Sequence, residues 1–393
     1  MPTRVSASDR QSRQLPPDLH GGAVQAPAAT QDVRYRFITE LNTQVRRLAI
    51  VSAIVRHVVN GQLVSHAHAL QRLFEWSGRQ EGHVADYKRV TGKVTLHGNG
   101  RPSAAKRYFA FAEALGLIVK LPGAYQIGRD GAALLELARQ DVDRGFALSS
   151  YQKLFFLRLL LEHDADGLVS VLNMLRQRPS VHMKDLLESF HMIFLARLET
   201  KVEFTKHEPT RVMLLQRRSE MLHIWRSPRR YAEHIVPPRL HWLRDIGFVD
   251  GEPKYHLTSF GEQFYDALPQ IDSETRDVDD TWLDVAFSKT AGGLLLKTAA
   301  PRTPMHLTKR VRRKRIGKIV TDSFALFSSQ VPPKASLRQV LLYTTIRLAV
   351  DEGLFAEVND LLETLKTEPL VIKGRRLQAV LSARSEESYL MLL

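Results

Sequence analysis

The chain has 393 residues, 44% of them hydrophobic and 25% charged, an ordinary globular composition long enough for roughly two to three domains. It contains no cysteine, which excludes disulfides, thiolate zinc sites, iron–sulfur clusters and a cysteine nucleophile. Its formal net charge of +14 makes a polyanion the expected partner, because phosphate contacts release condensed counterions.

Residues 1–31 mix Arg4, Arg10 and Arg13 with Ser, Pro, Gly and Ala, while Asp9, Asp18 and Pro16-Pro17 interrupt any amphipathic helix, so a disordered tail is expected rather than a transit peptide. There is no apolar core of a secretory signal and no apolar run of the ~18 to 20 residues that span a bilayer. A cytoplasmic protein without a membrane partner is the expectation. From Val33, the apolar residues Phe37, Leu41, Val45, Leu48, Val55 and Val59 recur at helical spacing until Asn60-Gly61. A second helix is read over 63–76. Pro102-Ser103 opens a third through Leu115, with Ser103 placed to cap it and Ala105, Phe109 and Ala112 on its apolar side. Short strands over 117–121 and 124–127 flank Pro122-Gly123, and a helix follows over 130–140.

The middle predicts helices over 151–162, 167–178, 183–200 and 209–226, which together could form a connecting bundle. Then come a helix over 237–246, a strand over 247–250, the turn Gly251-Glu252-Pro253, a strand over 254–257 and a helix over 260–268. Residues 269–280 are acidic and predict a linker, and 301–318 form a separate basic segment. Helices over 336–351 and 355–365 and a few short strands within 370–393 complete the chain. The expected division is a tail (1–31), a first domain (32–145), a helical connector (146–208), a second domain (209–270), a linker with a basic arm (271–318) and a mixed C-terminal domain (319–393).

Two passages match. Gly116-Leu117-Ile118-Val119 leads to Tyr125-Gln126-Ile127-Gly128-Arg129-Asp130-Gly131, and Gly247-Phe248-Val249-Asp250 leads to Tyr255-His256-Leu257-Thr258-Ser259-Phe260-Gly261. Both read Tyr-x-aliphatic, three residues, Gly, about 130 residues apart, which argues for one supersecondary unit used twice. Gly116 and Gly247 suit the left-handed turn that ends a helix, and alternation sends Tyr and the aliphatic residue to one face of the second strand.

This pattern resembles the winged helix-turn-helix family over about residues 62–140 and 183–268, and the second copy matches the family's Tyr-x-Leu-Thr-x-x-Gly ending more closely. In the first copy Gly128 stands where that ending has Thr. The resemblance implies a mainly α fold with small β wings, in which two winged-helix modules are joined by a helical bundle and followed by a small mixed C-terminal domain. It also implies that the helix before each wing is a recognition helix whose outward N-terminal side chains enter the major groove. Those side chains are Arg101, Ser103, Lys106 and Arg107 in the first copy and Arg239, His241 and Arg244 in the second. Arg229 and Arg230 would position phosphates ahead of the second recognition helix.

The basic segment carries Lys309, Arg310, Arg312, Arg313, Lys314 and Arg315 with no acidic residue and is expected to track phosphates. Asp250, Glu252 and Lys254 have the Glu-x-Lys spacing of metal-dependent nucleases, but in a wing turn that contains Pro253. His66 and His68, two apart on a helix, point to different faces, and no glycine-rich phosphate loop is present, so no metal or other cofactor is expected. Trp225, Trp242 and Trp282 read as core or rim aromatics. The expected function is weakly specific or sequence-independent binding of double-stranded DNA without chemistry, with protein partners, as a subunit of a bacterial DNA-processing or phage-defence complex. A transcriptional regulator, a metal-dependent nuclease and a protein-binding scaffold are the alternatives.

Overall fold

The computed structural model describes residues 33–39, 44–80, 103–139, 145–296, 309–367, 370–382 and 387–393. Over these residues the chain is mainly helical, with small antiparallel sheets of three and four strands.

The first sheet-bearing unit begins with α1 (Leu48–Ala53), which widens into a π-helical stretch over Ile54–Val59 and stops at the left-handed Asn60. β1 (Val64–Ser65) leads into α2 (His66–Arg79), whose amide at His68 is capped by the Ser65 hydroxyl. α3 (Ser103–Ala114) ends at Gly116, which has φ +67°, and the chain returns as β2 (Ile118–Leu121), β3 (Ala124–Ile127) and α4 (Arg129–Arg139). β3 lies in the middle of its sheet, pairing Tyr125 with Val64 and Ile127 with Ile118, so the strand order is β1-β3-β2.

The helix expected from Val33 begins only at Leu48. Residues 33–39 are instead held without regular structure by remote partners: the amides of Arg36 and Ile38 donate to the carboxylates of Asp166 and Asp164. Tertiary hydrogen bonds outweigh the local helical period there.

The second unit repeats the plan. α5 (Ser150–Arg176) starts in a capping box formed by Ser149 and Gln152 and runs through a kink at Asp164, joining the two helices expected over 151–178. β4 (Val181–His182), α6 (Met183–Phe204), α7 (Glu208–His223) and α8 (Pro228–Ile246) follow, and then β5 (Val249–Asp250), β6 (Lys254–Leu257) and α9 (Ser259–Asp266). Tyr255 pairs with Val181 and Leu257 with Val249, giving the order β4-β6-β5. Residues 150–204, expected as a connector, therefore supply the first helix, first strand and second helix of this unit.

The sequence repeat has a steric cause. A Cβ on Gly131 would sit 1.9 Å from the carbonyl oxygen of Leu117, and a Cβ on Gly261 would sit 2.1 Å from that of Phe248. In each copy the helix after the hairpin packs onto the backbone of the residue that follows the helix-ending glycine, and only glycine fits. Thr258 accepts a hydrogen bond from the Gly261 amide, which caps α9.

The expected linker is packed structure. Arg276 donates to the carbonyls of Asp266 and Leu268, and α10 (Asp280–Val285) and α11 (Phe287–Leu296) bury Trp282, Phe287 and Leu295. Then come α12 (Lys309–Phe327), β7 (Lys334–Ser336), α13 (Leu337–Glu352), α14 (Val358–Thr367), β8 (Val371–Ile372), β9 (Arg375–Val380) and β10 (Tyr389–Leu392), with strand order β7-β10-β9-β8.

The first two units share one core. Trp242 stacks on Phe111 at 4.5 Å, its indole donates to the Val45 carbonyl, and Arg47 pairs with Asp245. α13 contributes Leu342, Tyr343, Ile346 and Ala349 to that core, while Val340, Leu341 and Leu348 join a second one with Val320, Phe324, Leu361, Leu377 and Leu390. Each of these large apolar side chains contributes roughly 1.5 to 3 kcal/mol by leaving water. Arg338 ties the two together, its Nη1 donating to both carboxylate oxygens of Asp130 at 2.8 Å and its Nη2 to Glu162.

Candidate nucleic-acid interface

α3 is anchored by one face. Ala105, Tyr108, Phe109 and Ala112 are buried, and the Tyr108 hydroxyl accepts from the amides of Arg46 and Arg47 at 3.0 and 3.1 Å. The opposite face exposes Lys106 and Arg107, neither of which has a carboxylate partner among the described residues. Ser103 starts the helix, but its side chain, like all of Arg101, lies outside the described residues. Two further exposed cations of this unit, Lys120 on β2 and Arg129 at the start of α4, were not singled out from sequence. Strand alternation would not have found Lys120, because in β2 Ile118 is buried while both Val119 and Lys120 are exposed.

The second unit departs from expectation. α8 begins at Pro228, about two and a half turns before the expected start, and runs through Pro237 and Pro238. Its first turns expose Arg229, 3.4 Å from Glu188, together with Arg230 and Tyr231, which stacks on Trp225 at 4.7 Å. From Ile235 to Leu243 every residue is buried.

Arg239 and His241 therefore do not face outward as the resemblance implied: they are 0% and 2% exposed. Arg239 pairs with Asp164 at the kink of α5, donates to the carbonyls of Ile235 and Ile38, and lies over the Phe37 ring at 4.6 Å. Burial pushes His241 down to about 3, with help from the charges of Arg46 and Arg244, so the imidazole is neutral at physiological pH. Arg244 is half-buried and donates to Glu252 of the hairpin turn at 3.1 Å. With Asp250 and Glu252 both on its hairpin, the second unit offers a less favourable surface to phosphate than the first.

Beside Arg239 lies a buried ionic network. Asp166 accepts from Arg197, Lys201 and the Arg36 amide, and Asp277 accepts from Arg197 and Lys201. Burial would raise the Asp166 carboxyl, but the adjacent Lys201 and Arg197 charges hold it below its usual range. Asp164, with Arg239 as its cationic partner, is pushed up to about 6 by burial. Every named member is buried, and the network joins the 33–39 segment, α5, α6 and the 276–280 segment.

The basic segment also differs from a free arm. Its described part is the start of α12, where Arg312 pairs with Asp360 at 2.6 Å, Arg313 with Glu363 at 2.7 Å, and Arg315 with Glu352. Lys314 is exposed without a partner among the described residues, and the side chains of Lys309 and Arg310 lie outside those residues. The Glu-x-Lys residues sit at the second hairpin turn, where Asp250 accepts from the Gly251 amide. Among the described residues no group of three or more His, Asp or Glu side chains could hold a metal ion, and no helix is long and apolar enough to cross a membrane.

The structure thus brings Lys106 and Arg107 together on one exposed helix face, sends Arg239 and His241 to the core, and ties Arg244, Arg312, Arg313 and Arg315 to carboxylates. No protein-family model matches this sequence, and a comparison with curated proteins finds no relative.

Proposed function

We propose that the protein binds double-stranded DNA with little sequence selectivity, and that its first two units are winged helix-turn-helix modules of which the first makes the principal contact. The strand orders β1-β3-β2 and β4-β6-β5, each built as helix, strand, helices, hairpin, with two described helices before the hairpin in the first unit and three in the second, support the modular reading. The single observation that carries the DNA reading is the exposed pair Lys106 and Arg107 on α3, the helix before the hairpin, neither with a carboxylate partner among the described residues. A net charge of +14 supports a backbone-dominated contact. On this reading the protein performs no chemistry and serves as a subunit of a larger DNA-handling assembly; the exposed Val212, Met213 and Leu215 on α7 favour a protein neighbour.

The test is the double variant Lys106→Ala/Arg107→Ala against a labelled duplex of mixed sequence. Losing two phosphate contacts lowers the slope of log affinity against log salt by about 2. An unchanged slope and affinity would overturn the assignment.

A further inference from the structure

The elements from α12 to β9 repeat the order of the described elements of the first unit, helix, strand, helix, helix, strand, strand, with one addition, whereas the second unit has one helix more before its hairpin. β8 and β9 form a tight hairpin, pairing Val371 with Arg376 and Ile372 with Arg375, and turning through Lys373 at φ +50° and Gly374 at φ +79°. In the first two units the second hairpin strand pairs directly with the first strand of the unit. Here β10 lies between them, pairing Tyr389 with Ser336 on one side and Leu392 with Leu377 on the other.

The charges of this third unit are sorted. The α12 arginines neutralise Glu352, Asp360 and Glu363, as described above. Residues 370–382 contain no acidic residue at all. Lys366 at the end of α14 and Lys373, Arg375 and Arg376 on the hairpin are exposed, and none has a carboxylate partner among the described residues. Glu387, the nearest described carboxylate in that direction along the chain, is held by the Ser382 hydroxyl. Arg375 donates to the carbonyls of Leu392 and Leu393, which fixes the hairpin against β10. Lys366, Arg376 and Gln378 rim a groove of about 310 Å³ between α14 and β9. Salt bridges within the unit thus engage Asp351, Glu352, Asp360 and Glu363, while the cations on the hairpin and the adjoining helix end stay exposed.

We propose that Lys366, Lys373 and Arg376 form a second phosphate-binding surface for duplex DNA, so that the protein grips a duplex at two separate units. This rests on the DNA-binding reading above and adds a contact that the first unit does not require. Two contacts on one ligand act with a high effective concentration, so either one strengthens the other without any new chemistry.

The test is fluorescence anisotropy with a labelled mixed-sequence duplex at salt between ~0.05 and ~0.2 M. It compares the full chain with Lys366→Ala/Lys373→Ala/Arg376→Ala and with the charge-preserving Lys366→Arg/Lys373→Arg/Arg376→Lys. The alanine variant is expected to lose about 3 from the salt slope, at about 0.9 per phosphate contact, and the charge-preserving variant to keep the wild-type slope. All three side chains are exposed, so the melting temperature checks that folding is intact. A wild type that binds duplex while the alanine variant shows the same slope overturns the second surface alone. A wild type that fails to bind duplex overturns the DNA reading and the second surface with it.

Discussion

Arg239→Ala separates a structural arginine from a DNA-reading one. In the folded protein the guanidinium is fully buried, meets the Asp164 carboxylate, donates to two backbone carbonyls and covers the Phe37 ring. Truncation leaves Asp164 at 0% exposure with the Ile38 amide as its remaining hydrogen-bond donor, and opens a void beside Phe37 and Trp242. Breaking one side of a buried ion pair costs about 3 to 5 kcal/mol, mostly through the stranded charge. Urea unfolding followed by circular dichroism should therefore show a loss of that size, and Arg239→Met/Asp164→Asn should recover much of it because neither charge is then buried. The duplex salt slope of the folded Arg239→Ala protein should match wild type. A loss below about 1 kcal/mol, the range of exposed pairs, or a reduced salt slope would refute this account of Arg239.

Two further predictions follow from the same region. A Cβ on Gly167 would lie 2.0 Å from Arg239 Nε, so Gly167→Ala should destabilise the wild type by about 2 kcal/mol and cost much less in an Arg239→Ala background, measured as a double-mutant cycle in urea. His241 is depressed to about 3 from an ordinary 6.5, so the stability it contributes is complete above pH 6.5 and is lost as pH falls toward 3, where the unfolded chain has already taken up the proton. Relative to wild type, His241→Leu should gain about 3 kcal/mol between pH 7 and pH 4, and a pH-independent difference would contradict the burial of a neutral imidazole.

What the sequence made legible was whatever local spacing controls. The two hairpins fall at Ile118–Leu121 with Ala124–Ile127 and at Val249–Asp250 with Lys254–Leu257, close to the limits read from Tyr125, Ile127, Tyr255 and Leu257. Gly131 and Gly261 stand out in the sequence because a Cβ there would lie 1.9 and 2.1 Å from a backbone carbonyl oxygen. What remained hidden depends on partners far along the chain. Arg239 has the apolar Ile235, Val236, Trp242 and Leu243 three and four residues away, and its buried charge is met by Asp164, 75 residues away in the chain. The start of α8 was misplaced because Pro237 normally opens a helix. Here the prolines deprive Glu233 and His234 of amide donors, and both residues lie on the exposed part of the helix where water can substitute.

The third unit was unreadable for a related reason. Its β8–β9 hairpin carries no Tyr-x-aliphatic sequence with Gly four residues further on, the signature by which the other two matched, and β10 separates β9 from β7. The basic run from Lys309 was conspicuous as composition, yet Arg312, Arg313 and Arg315 face acids 37 to 50 residues downstream. Charge density along a sequence does not distinguish a paired cation from a free one.

The central claim, that exposed cations of the first unit hold duplex DNA by its backbone, is tested most directly by the salt dependence of duplex affinity for wild type beside Lys106→Ala/Arg107→Ala. With Lys106 and Arg107 on α3 and Lys366, Lys373 and Arg376 on the third unit in contact, a wild-type slope of about −4 to −5 is expected, a fall of roughly 500-fold in affinity between ~0.05 and ~0.2 M salt, and a slope shallower by about 2 in the variant. A flat wild-type response, or a variant that binds and titrates as wild type does, would contradict it.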